Sequence, residues 1–226
     1  MISIHKFLFI IFFFSLNINS QELPRGFVIL KEVIPDLIVD LRYRAHDNFM
    51  GKPVEGYNSN EAVGTIELAN ALKKAQKVFN SYGFGIKIYD SYRPQRSVND
   101  FIRWSQVQSD TISKASFYPK LNKNSLFDLG FIAEKSGHSR GSTVDITLTH
   151  IIGGKKGDEI DMGGPWDFFG NLSHYSFSEI SEKQKQNRKL LREILINSGF
   201  DPYNKEWWHF TLKNEPFPDT YFNFLY

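Results

Sequence analysis

Apolar residues recur along this chain with two periods, and the switches between them outline helices and strands. In TIELANALKKAQKVFNSYG, Leu68, Leu72, Ala75 and Phe79 fall on one helical face, with Thr65 as N-cap and Gly83 as stop. FGIKIYDSYRP alternates like a strand up to Pro94, and RSVNDFIRWSQ returns to a helical period with Val98, Phe101 and Ile102 inward. DLGFIAEK predicts another short helix. In VDITLTH, Val144, Ile146 and Leu148 alternate with Asp145, Thr147 and Thr149, the pattern of a half-buried strand. GGKKGDE reads as a turn-rich connection. Ser181 and Gln184 have capping-box spacing before a helix whose buried stripe is Leu191, Ile194 and Leu195, with Gly199 to stop it. EWWHFTL has the aromatic content of a strand. Upstream, LPRGFVILKEVIPDLIVDLRY holds short β-rich runs limited by Pro24 and Pro35, and DNFMGKPVEGYNSN reads as a loop. Interspersed helices and strands with late hairpin-like connections predict an α+β fold: one domain, a mainly antiparallel central sheet flanked by helices.

The first twenty residues break this pattern. Lys6 precedes FLFIIFFFSL, an apolar run short for a membrane span and matching a signal-peptide core. Residues 1–20 are therefore read as a signal peptide and 21–226 as one folded domain, with an uncleaved anchor as the alternative. The chain has 226 residues and no cysteine, which excludes disulfides, a thiol nucleophile and thiolate-bound zinc. A core of this size stands without disulfide staples, so export to a periplasm or cell surface is compatible. A net charge of +2, with no long block of one sign, gives nucleic-acid binding no electrostatic support. Nothing predicts membrane attachment once the signal is removed, GGKKGDEIDMGG lacks phosphate-loop spacing, and oligomeric state has no signature.

The candidate chemistry begins in SGHSRGSTVDITLTH, with His138 in a loop and Asp145 on the following strand. Alone, the two residues form either a hydrogen-bonded structural pair or half of a metal site. EWWHF adds Glu206 and His209 in an apolar frame, where charged groups are expensive unless paired or metal-bound. His138, Asp145 and His209 suit zinc, leaving a fourth position open for water. Glu206 is the candidate general base, against the alternative of a strand-edge surface carboxylate. Residues three apart on a regular strand face opposite ways, so Glu206 can join His209 only from a turn or bulge before the strand proper.

The motifs HSRGSTVD and EWWH, with RYRAHDNFMGKPVEGY, DSYRPQRSVNDF, MGGPWDF and NSGFDPYNKEWWHF in order, resemble the VanX-type D-alanyl-D-alanine dipeptidases, a family of zinc D,D-peptidases. The resemblance runs from about residue 25 to the C-terminus. It implies a zinc site in a cleft, with His138, Asp145 and His209 as ligands, Glu206 as base, and Arg93 reaching the scissile carbonyl. It further implies that Tyr43 and Asp167 meet the substrate's ammonium and that Ser136 lies near its carboxylate. Hydrolysis of the small dipeptide D-alanyl-D-alanine follows as the expected activity. The alternatives are a D,D-carboxypeptidase or other muropeptide peptidase, and a non-catalytic zinc module that binds cell wall. Trp207 and Trp208 are read as core, and His46, His150 and His174 are left unassigned. Thr143 departs from the family's usual small apolar residue, and the export segment puts a cytoplasmic role in doubt.

Overall fold

A computed structural model of the chain describes residues 22–152 and 155–226, the side chains of 152–156 apart. The expected signal peptide at 1–20 lies outside the described residues. β1 (Phe27–Ile29) runs directly into a one-turn helix, α1 (Leu30–Val33), and then β2 (Ile38–Val39). β3 (Val63–Thr65) pairs antiparallel with β1 and leads into α2 (Ile66–Ser81), where the Thr65 hydroxyl accepts the Leu68 N–H as the sequence predicts. β4 (Phe84–Asp90), α3 (Gln95–Gln106) and α4 (Lys114–Phe117) follow. The second half holds β5 (Thr143–Ile152), β6 (Lys155–Glu159), α5 (Glu182–Asn197), β7 (Phe200–Pro202) and β8 (His209–Leu212). Both parts of the Ser181–Gln184 capping box form at the start of α5.

The main sheet has the order β2–β4–β5–β8–β7 and is antiparallel except where β2 meets β4. β5 is its axis. One edge of β5 pairs with β4; the other takes β8 along Thr143–Asp145 and β6 from Thr149 onward. Leu68, Leu72, Ala75 and Phe79 of α2 and Leu191, Ile194 and Leu195 of α5 share one core with Ile86, Ile88, Val144, Ile146 and Leu148. The α+β architecture read from the sequence is the one observed.

Four local expectations need correction. VDITLTH is not half-buried, because Asp145, Thr147 and Thr149 are as enclosed as the apolar residues between them. A second layer built from Tyr43, Tyr89, Trp166 and Trp207 belongs to the same core, and it lies over the polar face. DLGFIAEK does not form a helix. Gly130 takes a left-handed φ of +80°, and the N–H groups of Phe131 and Ile132 turn back to the Leu126 carbonyl. In GGKKGDE, Gly153 and Gly154 lie outside the described residues, but the remainder forms β6, a charged strand that pairs with the far end of β5. On α3, Ile102 is only half-buried, and Trp104 completes the inward face with Val98 and Phe101.

One backbone position ties the small β1–β3 sheet to the site. Gly141 ends the 3₁₀ turn Gly137–Arg140 at φ +81°, and its carbonyl accepts the Thr65 N–H at 2.8 Å. A Cβ there would run into the Phe27 ring. Gly141→Ala should therefore lower unfolding free energy by about 2 kcal/mol or more, from the left-handed backbone and the crowded ring together. Urea unfolding of the metal-free protein measures it.

Candidate metal centre

Three strands align three side chains. Asp145 on β5 lies opposite His209 on β8, and on its other side opposite Asp90 at the end of β4. In an unbroken β4, Asp90 would share the apolar face of Ile86 and Ile88. The register shifts between Ile88 and Asp90, and this bulge re-aims Asp90 to the face of Asp145. His138 arrives from the 3₁₀ turn just before β5. Its Nδ1–H donates to the Ser91 carbonyl at 2.7 Å, which turns Nε2 toward Asp145 and His209.

His138 Nε2, Asp145 Oδ1 and His209 Nδ1 form a triangle with sides of 3.0, 3.3 and 3.4 Å. Ligand atoms set tetrahedrally about 2.0–2.2 Å from a divalent ion stand about 3.3–3.6 Å apart, so the donor set fits such an ion. Among the described residues this is the one His/Asp/Glu cluster close enough to hold a metal. Glu206 lies in the turn before β8, and its carbonyl accepts the His209 N–H at 3.3 Å. That turn resolves the facing problem: Glu206 Oε2 comes within 3.5 Å of His209 Nδ1 although the two are three residues apart.

The other sequence candidates surround this triangle. Arg93 donates from Nε and Nη2 to Asp90 Oδ2 at 2.9 and 2.6 Å, and its guanidinium lies 4.9 and 5.0 Å from the Tyr43 and Phe101 ring centres. Tyr43 donates its hydroxyl to Asp167 Oδ2 at 2.9 Å, and Asp167 is buried at φ +63°, a left-handed conformation tolerated best by Asn and Asp. The Ser136 hydroxyl caps the 3₁₀ turn by accepting the His138 N–H. All eight candidates line a cavity of about 230 Å³, together with Phe131, Ile132 and Tyr203.

The electrostatics ask for a cation. Asp90, Asp145, Asp167 and Glu206 converge here with Arg93 as their buried counter-charge. Burial, reinforced by the neighbouring carboxylates, pushes Glu206 and Asp167 well above the usual carboxylate range. Burial would raise Asp145 too, but the facing His138 and His209 outweigh it and hold that carboxyl well below its ordinary value. Burial lowers His209, keeping the imidazole in the neutral form that binds a metal.

Sequence reasoning missed Asp90, Ser91, Trp166 and Tyr203. Asp90 and Ser91 stand inside the DSYRP segment itself, but only the bulge shows which way Asp90 points. Tyr203 packs edge-on to His209 and donates to the Gly130 carbonyl, a contact no spacing rule reveals.

A metal-ready donor set, a carboxylate free to carry a proton and a fixed guanidinium meet in one small cavity, an arrangement that defines a metal-dependent hydrolase. Comparison with known proteins narrows this class. The family profile described as D-ala-D-ala dipeptidase matches residues 24–226, and the chain belongs to that family of metallopeptidases. It is 42% identical over 199 residues to a D-alanyl-D-alanine dipeptidase of Enterococcus faecium, covering 88% of this chain and 97% of that protein. It is 44% identical over 198 residues to one of Streptomyces coelicolor, with 88% and 96% covered. A third, from Enterococcus faecalis, is 41% identical over 202 residues, with 89% and 98% covered.

His138→Ala should abolish stoichiometric metal binding, read as metal content per chain after gel filtration, against about one ion per chain in the wild type. Retention of that ion by the variant would place the metal elsewhere.

Proposed function

We propose that this protein is a zinc-dependent dipeptidase that hydrolyses D-alanyl-D-alanine to two D-alanines outside the cytoplasm, in peptidoglycan metabolism. The observation that carries the reading is the shared cavity: Glu206 and Arg93 flank the His138–Asp145–His209 triangle, and the buried Tyr43–Asp167 pair sits on the same wall. Cysteine-free histidine and carboxylate donors favour zinc. The apolar run at the N-terminus favours export, and the names of the relatives favour the dipeptide.

Bound zinc would lower the pKa of water and polarise the scissile carbonyl. The chain's own residues do the rest. Glu206, whose raised affinity for protons follows from burial, takes a proton as water attacks and passes it to the leaving amine. Negative charge developing on the carbonyl oxygen is met by Arg93, which Asp90 and the two aromatic rings hold against rotation. Asp167 accepts the substrate's ammonium, with the Tyr43 hydroxyl fixing the carboxylate that does so. The Ser136 hydroxyl, in the same lining, is still able to donate to the terminal carboxylate. Holding both ends in about 230 Å³ favours a free dipeptide over an extended chain.

Zinc-loaded protein should release D-alanine from D-alanyl-D-alanine and show little activity on its N-acetylated form, measured by amino-acid analysis. Equal rates on a wall pentapeptide would make it a D,D-carboxypeptidase instead. Glu206→Ala should abolish turnover while zinc stays bound. Arg93→Ala should lower kcat by about 10²–10³-fold, the usual loss of an oxyanion-stabilising group.

A further inference from the structure

Asp145 offers two carboxylate oxygens, and only Oδ1 belongs to the metal triangle. Oδ2 accepts the indole N–H of Trp166 at 3.3 Å, with the Arg93 guanidinium at the longer distance of 4.0 Å. We infer that Trp166 is a positioning residue that holds Asp145 in the rotamer presenting Oδ1 to the metal. The inference rests on the zinc reading above.

Three observations fix the indole. Its ring packs against Tyr43 and Tyr89, with centroids 5.0 and 5.3 Å away, so it cannot turn without displacing an aromatic wall. The segment carrying it is clamped at both ends by Arg188 of α5. This buried guanidinium donates to the Met162 carbonyl on one side and to those of Leu172 and His174 on the other, at 2.6, 2.9 and 2.8 Å. The next residue, Asp167, takes its left-handed φ and turns its carboxylate to Tyr43. Consecutive residues thus serve different partners: Trp166 steadies a metal ligand, and Asp167 lines the cavity.

Space-filling alone does not account for the contact. Trp104 and Trp207 are also buried, and their indole nitrogens have no hydrogen-bond partner. Trp166 directs its donor at the one ligand that carries a formal charge. A carboxylate ligand with its outer oxygen bonded is held in place, the role that outer partners of metal ligands commonly have.

The test is zinc affinity, measured by competition with a chromogenic chelator, for the wild type, Trp166→Phe, and a protein with 3-benzothienylalanine at position 166. The last keeps the bicyclic shape and replaces only the N–H, so it decides the matter if phenylalanine disturbs folding. Both variants should bind zinc about 10–100-fold more weakly. At saturating zinc their kcat for D-alanyl-D-alanine should fall with KM nearly unchanged, whereas Asp167→Asn should raise KM with zinc affinity nearly unchanged. Wild-type zinc affinity in the benzothienyl protein would overturn the inference. Failure of the wild-type protein itself to bind zinc would instead remove the reading on which it rests.

Discussion

The pairing of β5 with β8 is the constraint on which the site depends. It sets Asp145 directly beside His209, and the β4 bulge brings Asp90 into the same row. A slip of one residue in either ladder would turn a ligand into the opposite layer. Register is protected because β5 is buried on both faces, with Val144, Ile146 and Leu148 in the helix-backed core and Asp145, Thr147 and Thr149 enclosed on the other side. The geometry of the candidate ligands therefore follows from core packing.

That rigidity has an electrostatic consequence. Packing four carboxyl groups around one guanidinium in a desolvated pocket favours the protonated forms of Glu206 and Asp167 unless more positive charge enters. The hydrogen bonds from Tyr57 and the Ser91 N–H to Asp90, from Tyr43 to Asp167 and from Trp166 to Asp145 offset part of this. A divalent ion held between the two imidazoles and the Asp145 carboxylate would offset the remainder. The fold stores a demand for a cation, and the same low-dielectric surroundings strengthen every charge that later acts on a substrate.

Much of this was legible from residue order. The helix α2 with its Thr65 cap, the capping box of α5 and the strand at VDITLTH follow from short-range patterns, while the candidate ligand set came with the family resemblance. Even the requirement that Glu206 sit in a turn followed from strand geometry, and the turn is there. What remained hidden was long-range. The burial of Thr147 depends on an aromatic layer drawn from distant segments, and the turn at Gly130 depends on Tyr203 and Lys205 reaching back to its loop. The aim of Asp90 depends on a single extra residue in β4. None of these leaves a periodic trace.

The central claim is that two imidazoles and one carboxylate, brought together by strand register, hold a single zinc ion with one position open. Zinc K-edge X-ray absorption of the loaded protein tests this most directly. The account predicts two histidine nitrogens and one carboxylate oxygen about 2.0–2.2 Å from the metal, with one further light atom from solvent. A six-coordinate oxygen shell, or a shell with fewer than two histidines, would contradict it.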